Sequence, residues 1–219
     1  MSPGRMAYLY LPLLIAGLAA HRVVAQSANG TVLNVPPDQY FDGDDGQWAT
    51  FGVQVGTPSQ NLRLLPGTGV SDVRVVVAEG CTSADGTGCP GNRGMVFSPN
   101  ASSTWDQIGL YELSIYEEKF LGYSGNGLYG NDTVTLGWSG TSAPAMPGQV
   151  VTGIATKDFY LGTLPLSRLP TNLTTLNNPI PSVLQQLKTG GHIPSLSWGY
   201  TAGSYGLQPQ YFGSLTLGG

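Results

Sequence analysis

The chain has 219 residues and a formal net charge of −4, with 10% of its residues charged, 32 glycines and 16 prolines. That length holds one large or two small domains. The acidic balance argues against a nucleic-acid partner, whose phosphates need basic side chains, and the Gly and Pro content, with no long helical periodicity, predicts an all-β fold with many turns.

The N-terminus reads as a targeting segment. Arg5 precedes an apolar run over residues 7–20, and Val23-Val24-Ala25 supplies small residues for cleavage before Gln26. The run is short of the roughly 18–20 apolar residues a membrane span needs. Residues 1–25 are therefore expected to be a signal peptide rather than an anchor or a buried helix. Its removal takes away Arg5 and Arg22 and leaves seven basic residues against 13 acids, a net charge of −6. The expected location is secreted, extracellular or cell-wall associated, with no membrane span in the mature chain.

Residues 26–46 are polar and read as a tail or turn ahead of a domain over 47–219. Their cluster Asp42-Gly43-Asp44-Asp45-Gly46 lacks the spaced ligands and closing Glu of a calcium loop, so a solvated turn is expected. Partial alternation and β-branched content then predict strands over 48–55, 61–65 and 70–77. Residues 78–104 read as loop, followed by strands over 110–120, 128–136 and 149–156. One helix is predicted over 182–188, where Pro181 precedes a capping Ser182 and Gly190-Gly191 ends the element. Strands over 195–200 and 212–217 complete the chain.

Cys81 and Cys89 are the two cysteines, and in a secreted chain they are expected to form a disulfide that stiffens one turn. Two ligands are too few for structural zinc, and His192 is the only histidine beyond the leader, so no metal and no cofactor are expected. N-x-[ST] sequons at Asn29, Asn100, Asn131 and Asn172 are expected to mark exposed positions, with at least one glycan among them.

Several ordered motifs resemble the pepsin-like aspartic peptidases of the fungal secreted type. Residues 51–60, with Gly56-Thr57-Pro58, are similar to that family's opening hairpin. Phe97-Ser98-Pro99 with Ser102-Ser103-Thr104, and residues 127–134 with Asp132-Thr133-Val134, resemble two further signatures. Residues 159–166 look like a worn hydrophobic-Gly crossing, and 212–219 are similar to the strand entering the family's second lobe. The resemblance implies a pepsin-like acid-protease fold, essentially one N-terminal lobe with one or two short helices and the start of the second lobe.

The same resemblance implies a defect. Counting ten residues on from Thr57 puts Gly67 where the family's first catalytic aspartate belongs, with Thr68 and Gly69 completing the loop. Family members use two aspartates sharing one proton, one acting as base and one as acid. Glycine carries no group that could do either, so the loop Gly67, Thr68, Gly69 is expected to be vestigial and no catalytic residue is assigned. Asp72 is five residues on, roughly 15 Å along an extended chain, and is expected to be an exposed strand-start acid rather than a substitute. The family's second loop has no counterpart in these residues. Pairing two copies, as single-lobed retroviral relatives do, would bring two glycines together. A lone lobe is also expected to expose an interface that needs a partner or a second lobe.

The family's flap tyrosine aligns with Phe120, with Tyr116 and Tyr123 as neighbours, and Gly162 falls in the crossing motif expected to lie beside Gly67. Phe120 and Gly162 are thus the expected cleft residues, although aromatic packing on a hairpin accounts equally for the three rings. No G-x-S-x-G elbow marks a serine hydrolase and no spacing marks a glycosidase pair. Three readings remain. One is an inactive secreted domain that binds a peptide or protein in its cleft. Another is an active aspartic endopeptidase in a full-length or corrected form. The last is a structural or cell-wall-associated protein.

Overall fold

The computed structural model describes residues 31–113, 118–172 and 179–219. The expected signal peptide, Asn29 and Tyr116 lie outside them. In chain order the strands and helices are β1 (Leu33–Val35), β2 (Pro37–Asp42), β3 (Trp48–Val55), β4 (Gln60–Gly67), β5 (Val73–Val76), α1 (Cys89–Asn92), β6 (Asp106–Glu112), β7 (Asn126–Leu136), β8 (Ala145–Ile154), β9 (Gly162–Pro165), α2 (Val183–Thr189), β10 (Trp198–Thr201) and β11 (Ser214–Leu217). The chain is mostly β, with short helices, as an all-β pepsin-like lobe requires.

Eight strands form one sheet in the order β2-β3-β4-β9-β5-β8-β7-β6. Strand β3 also pairs with β7, through Val53 opposite Leu136 and Val55 opposite Val134. That extra pairing closes β3, β4, β9, β5, β8 and β7 into a ring, leaving β2 and β6 outside it. Closure buries the ring's interior on all sides. Phe51, Val53, Val55, Leu62, Leu64, Val75 and Val151 fill it, each nearly inaccessible. Strand β5 reads Val-Arg-Val-Val and is buried at every position, which explains its near-continuous β-branched run. The second sheet has three strands, in the order β1-β11-β10.

The family-like motifs meet in space. Gly56 N donates to Thr133 O at 2.9 Å, and Ser103 N donates to Thr57 O at 2.8 Å. Thr57 N donates to Ser102 Oγ at 3.0 Å, while Thr104 Oγ1 donates to the buried Asp132 carboxylate. Three sequence signatures are therefore one hydrogen-bonded corner. Helix α2 follows its reading closely. Ser182 N donates to Gln185 Oε1 at 2.9 Å and Gln185 N donates to Ser182 Oγ at 3.4 Å, a reciprocal cap. Val183, Leu184 and Leu187 are its buried face.

Three expectations need correction. Residues 33–42 of the stretch read as a polar tail are strands instead, since β1 pairs with β11 and β2 pairs with β3. Asp42 is not a solvated turn acid. It is buried, and Arg63 grips it with Nε at 2.7 Å and Nη2 at 2.8 Å. Thr50 Oγ1 bridges Asp42 to the equally buried Asp38, at 2.9 and 3.0 Å. Its polarity hid this network, since its members are charged or polar yet buried. The strand expected over 110–120 instead starts at Asp106 and ends at Glu112, and Glu118–Leu121 forms a short 3-10 turn.

Candidate functional site

Gly67 is the last residue of β4. It pairs in parallel with Pro165 of β9, and its carbonyl accepts from Leu166 N at 2.8 Å. Gly162 is three rungs back, opposite Leu64. Gly162 is thus on the strand next to Gly67 but not directly opposite it, and the ladder carries β4 straight through to Gly67. Gly162 is buried, and a Cβ there would meet Arg74 O at 2.4 Å and Leu64 Cδ2 at 2.5 Å. It is a close-packing position and presents no surface to a ligand.

Gly67 has a φ outside the left-handed range, so its backbone does not require glycine. Space does. A Cβ at Gly67 would lie 2.3 Å from Thr163 Cγ2. A side chain at Gly67 would therefore require the Thr163 methyl to move. Thr68 and Gly69 are exposed, and a Cβ at Gly69 would meet nothing within 4 Å.

Asp72 departs from its reading as an exposed acid. It is 3% exposed and pairs with Arg74 Nε at 3.2 Å. Both residues, with Gly69, Tyr111, Thr171 and Asn172, line a polar hollow of about 300 Å³. No local pattern signals the pair, because Asp72 is just ahead of β5 and Arg74 is the one polar residue within that strand.

A larger groove of about 510 Å³ opens on the other side of Thr163. Leu65 and Thr163 form its floor, and Trp48, Tyr123, Phe159, Tyr160 and Tyr200 its walls. Tyr123 meets Phe159 edge to face, with centroids 5.5 Å apart. Burial pushes the Tyr200 phenol above its ordinary value. Asp44, Asp45 and Asp158 are exposed at the groove's edge. Phe120, the expected cleft ring, is 80% exposed on the Glu118–Leu121 turn and does not line the groove. Tyr123 is the hairpin aromatic that does. Sequence reasoning missed Trp48, Phe159, Tyr160 and Tyr200 as a set, since no spacing connects rings so far apart in the chain.

One buried cation holds the groove wall. Arg93 donates Nε to Tyr160 O at 2.8 Å, and Nη2 to Thr156 O at 2.9 Å and Phe159 O at 2.7 Å. Its Nη1 reaches Gly80 O at 2.7 Å. Burial among these carbonyls lowers its pKa from the ordinary value. Gly80 adjoins the Cys81–Cys89 disulfide, which spans a Cα–Cα distance of 5.7 Å. Lys157 ion-pairs with Asp85 of the same loop, and that hydrogen bond, followed by those from Thr82, holds the Asp85 carboxyl down at about 2.

The sequons differ in setting. Asn100 and Asn172 are exposed. Asn131 is half-buried in β7 between β6 and β8, and its Oδ1 is buried without a hydrogen-bond partner. Among the described residues no cluster of three or more His, Cys, Asp or Glu side chains could hold a metal ion, and no helix is long and apolar enough to cross a membrane.

The closed ring of strands, the hydrogen-bonded signature corner and the Gly67-Thr68-Gly69 loop together define a pepsin-like aspartic-peptidase lobe. Residues 50–156 match the eukaryotic aspartyl protease family. It is 40% identical over 99 residues to Mucorpepsin of Rhizomucor miehei, covering 45% of this chain and 20% of that relative. It is also 40% identical over 86 residues to Mucorpepsin of Rhizomucor pusillus, covering 39% of this chain and 18% of the relative. The chain thus spans about a fifth of the length of the curated relatives it matches.

Proposed function

We propose that this protein is an inactive pepsin-like scaffold that binds a peptide or protein segment in the Trp48–Tyr200 groove without cutting it. The observation that carries the reading is at Thr163. Its methyl would have to move for Gly67 to carry a side chain, and the loop lacks its aspartate. A dyad missing one member loses far more than a single proton donor is worth, because its members act as a unit. The groove remains concave and largely aromatic, the character of surfaces that hold extended segments.

Secretion and glycosylation belong to the same proposal. They are supported by the apolar run over residues 7–20, by the disulfide, which persists in oxidising compartments, and by the exposed sequons Asn100 and Asn172. A second reading, an active aspartic endopeptidase, draws on Asp72, the one carboxylate buried beside the vestigial loop. Its pairing with Arg74 speaks for a structural role. Digestion of an unstructured protein at acid pH, with and without pepstatin, separates the two. The scaffold reading expects no pepstatin-sensitive cleavage, and such cleavage would overturn it.

A further inference from the structure

We propose that the aromatic groove is selective for a basic side chain, lysine or arginine, of the segment it binds. This rests on the reading of the groove as a peptide site and names the chemistry it prefers. Three carboxylates, Asp44, Asp45 and Asp158, border walls made of aromatic rings. None of the ion pairs among the described residues uses them. Three cations are near, and all are committed elsewhere. Arg74, 5.9 Å over the Phe159 ring, is paired with Asp72. Lys157 is paired with Asp85. Arg93 is within the electrostatic reach of Asp44 but is buried behind the wall under four backbone carbonyls.

Two of the three acids are held in place. Trp48 Nε1 donates to Asp45 Oδ1 at 3.0 Å, which fixes the indole with a carboxylate at its edge. Ser124 N donates to Asp158 Oδ2 at 3.0 Å. Each of these bonds occupies one oxygen of its carboxylate. A cation entering between the rings would meet ring faces and carboxylate oxygens together, both attractive to it. An apolar side chain would gain the rings and nothing from the acids, and an acidic one would be repelled by all three.

The test uses the full chain and calorimetric titration with three acetylated, amidated tripeptides, Phe-Lys-Phe, Phe-norleucine-Phe and Phe-Glu-Phe, at low ionic strength. The lysyl peptide is expected to bind about tenfold tighter than the norleucyl one, the scale of a cation–π contact with a neighbouring carboxylate. The glutamyl peptide is expected to be weakest. Asp45→Asn combined with Asp158→Asn should bring the lysyl and norleucyl affinities within about twofold. Both acids are exposed, so their replacement does not threaten folding. Equal wild-type affinity for lysyl and norleucyl peptides, with both lost in Trp48→Ala, would overturn the selectivity and leave the peptide site standing. Binding by none of the peptides, or binding of a β-glucan oligosaccharide in their place, would overturn both.

Discussion

At the residue scale the site turns on one methyl group. Gly67 and Thr163 are on neighbouring strands, and the distance of 2.3 Å from a Cβ at Gly67 to Thr163 Cγ2 is below any real contact. Gly67→Asp is therefore expected to cost about 1–3 kcal/mol, the range for overpacking. In a Thr163→Ser background, which removes only that methyl, the cost should fall below about 1 kcal/mol. Urea denaturation of the four chains in this cycle measures it, and an equal cost in both backgrounds would contradict the packing argument. The absence of the aspartate was legible in the sequence from the spacing to Thr57. The close approach of Thr163 was not, because Thr163 is nearly a hundred residues away and only strand pairing brings it close.

A second residue-scale consequence concerns Asp38. Burial pushes its carboxyl above the ordinary 3.8, against hydrogen bonds from Tyr40 N and Thr50 that pull it down. The folded state therefore holds this proton more tightly than the unfolded chain does. The resulting stabilisation is full below 3.8 and is lost as pH rises through the folded-state value. Melting temperature should fall from about pH 4 to about pH 7 less steeply in Asp38→Asn than in the parent chain. Identical slopes would rule out Asp38 as the group responsible.

At the scale of elements, the disulfide loop and the groove wall are one unit through Arg93. Replacing it with Ala would orphan four carbonyls at once. Each orphaned buried group costs about 1–3 kcal/mol, so a total loss of at least about 3 kcal/mol is expected in thermal or urea unfolding. A loss under about 1 kcal/mol would mean that the loop and wall stand without the clamp. Element identity was largely readable from the sequence. Strand β7 follows its alternation, β3 and β4 occupy the stretches read as strands, and α2 follows its cap and terminal glycines. The misreadings share a cause. Strand β1 has only three residues and β2 is polar, and their partners, β11 and β3, are set by tertiary pairing that no local pattern reveals. Arg93 was invisible for the same reason, since its carbonyl partners carry no side-chain signature.

At the scale of the whole molecule, the scaffold and its function separate. The family was legible because its signatures are structural: Gly56-Thr57-Pro58, Ser102–Thr104 and Asp132-Thr133 hold a corner together whether or not the chain cuts peptides. The groove was not legible, because Trp48, Tyr123, Phe159 and Tyr200 meet only once the ring of strands is closed. On the proposed reading, the chain keeps the corner and the groove to hold a segment intact. The most direct test is to incubate the full chain with the acetylated Phe-Lys-Phe amide peptide and with an unstructured protein at acid pH, with and without pepstatin, and to follow both by mass spectrometry. Saturable binding with every substrate recovered whole is the expected result. Cleavage that pepstatin abolishes would contradict the account.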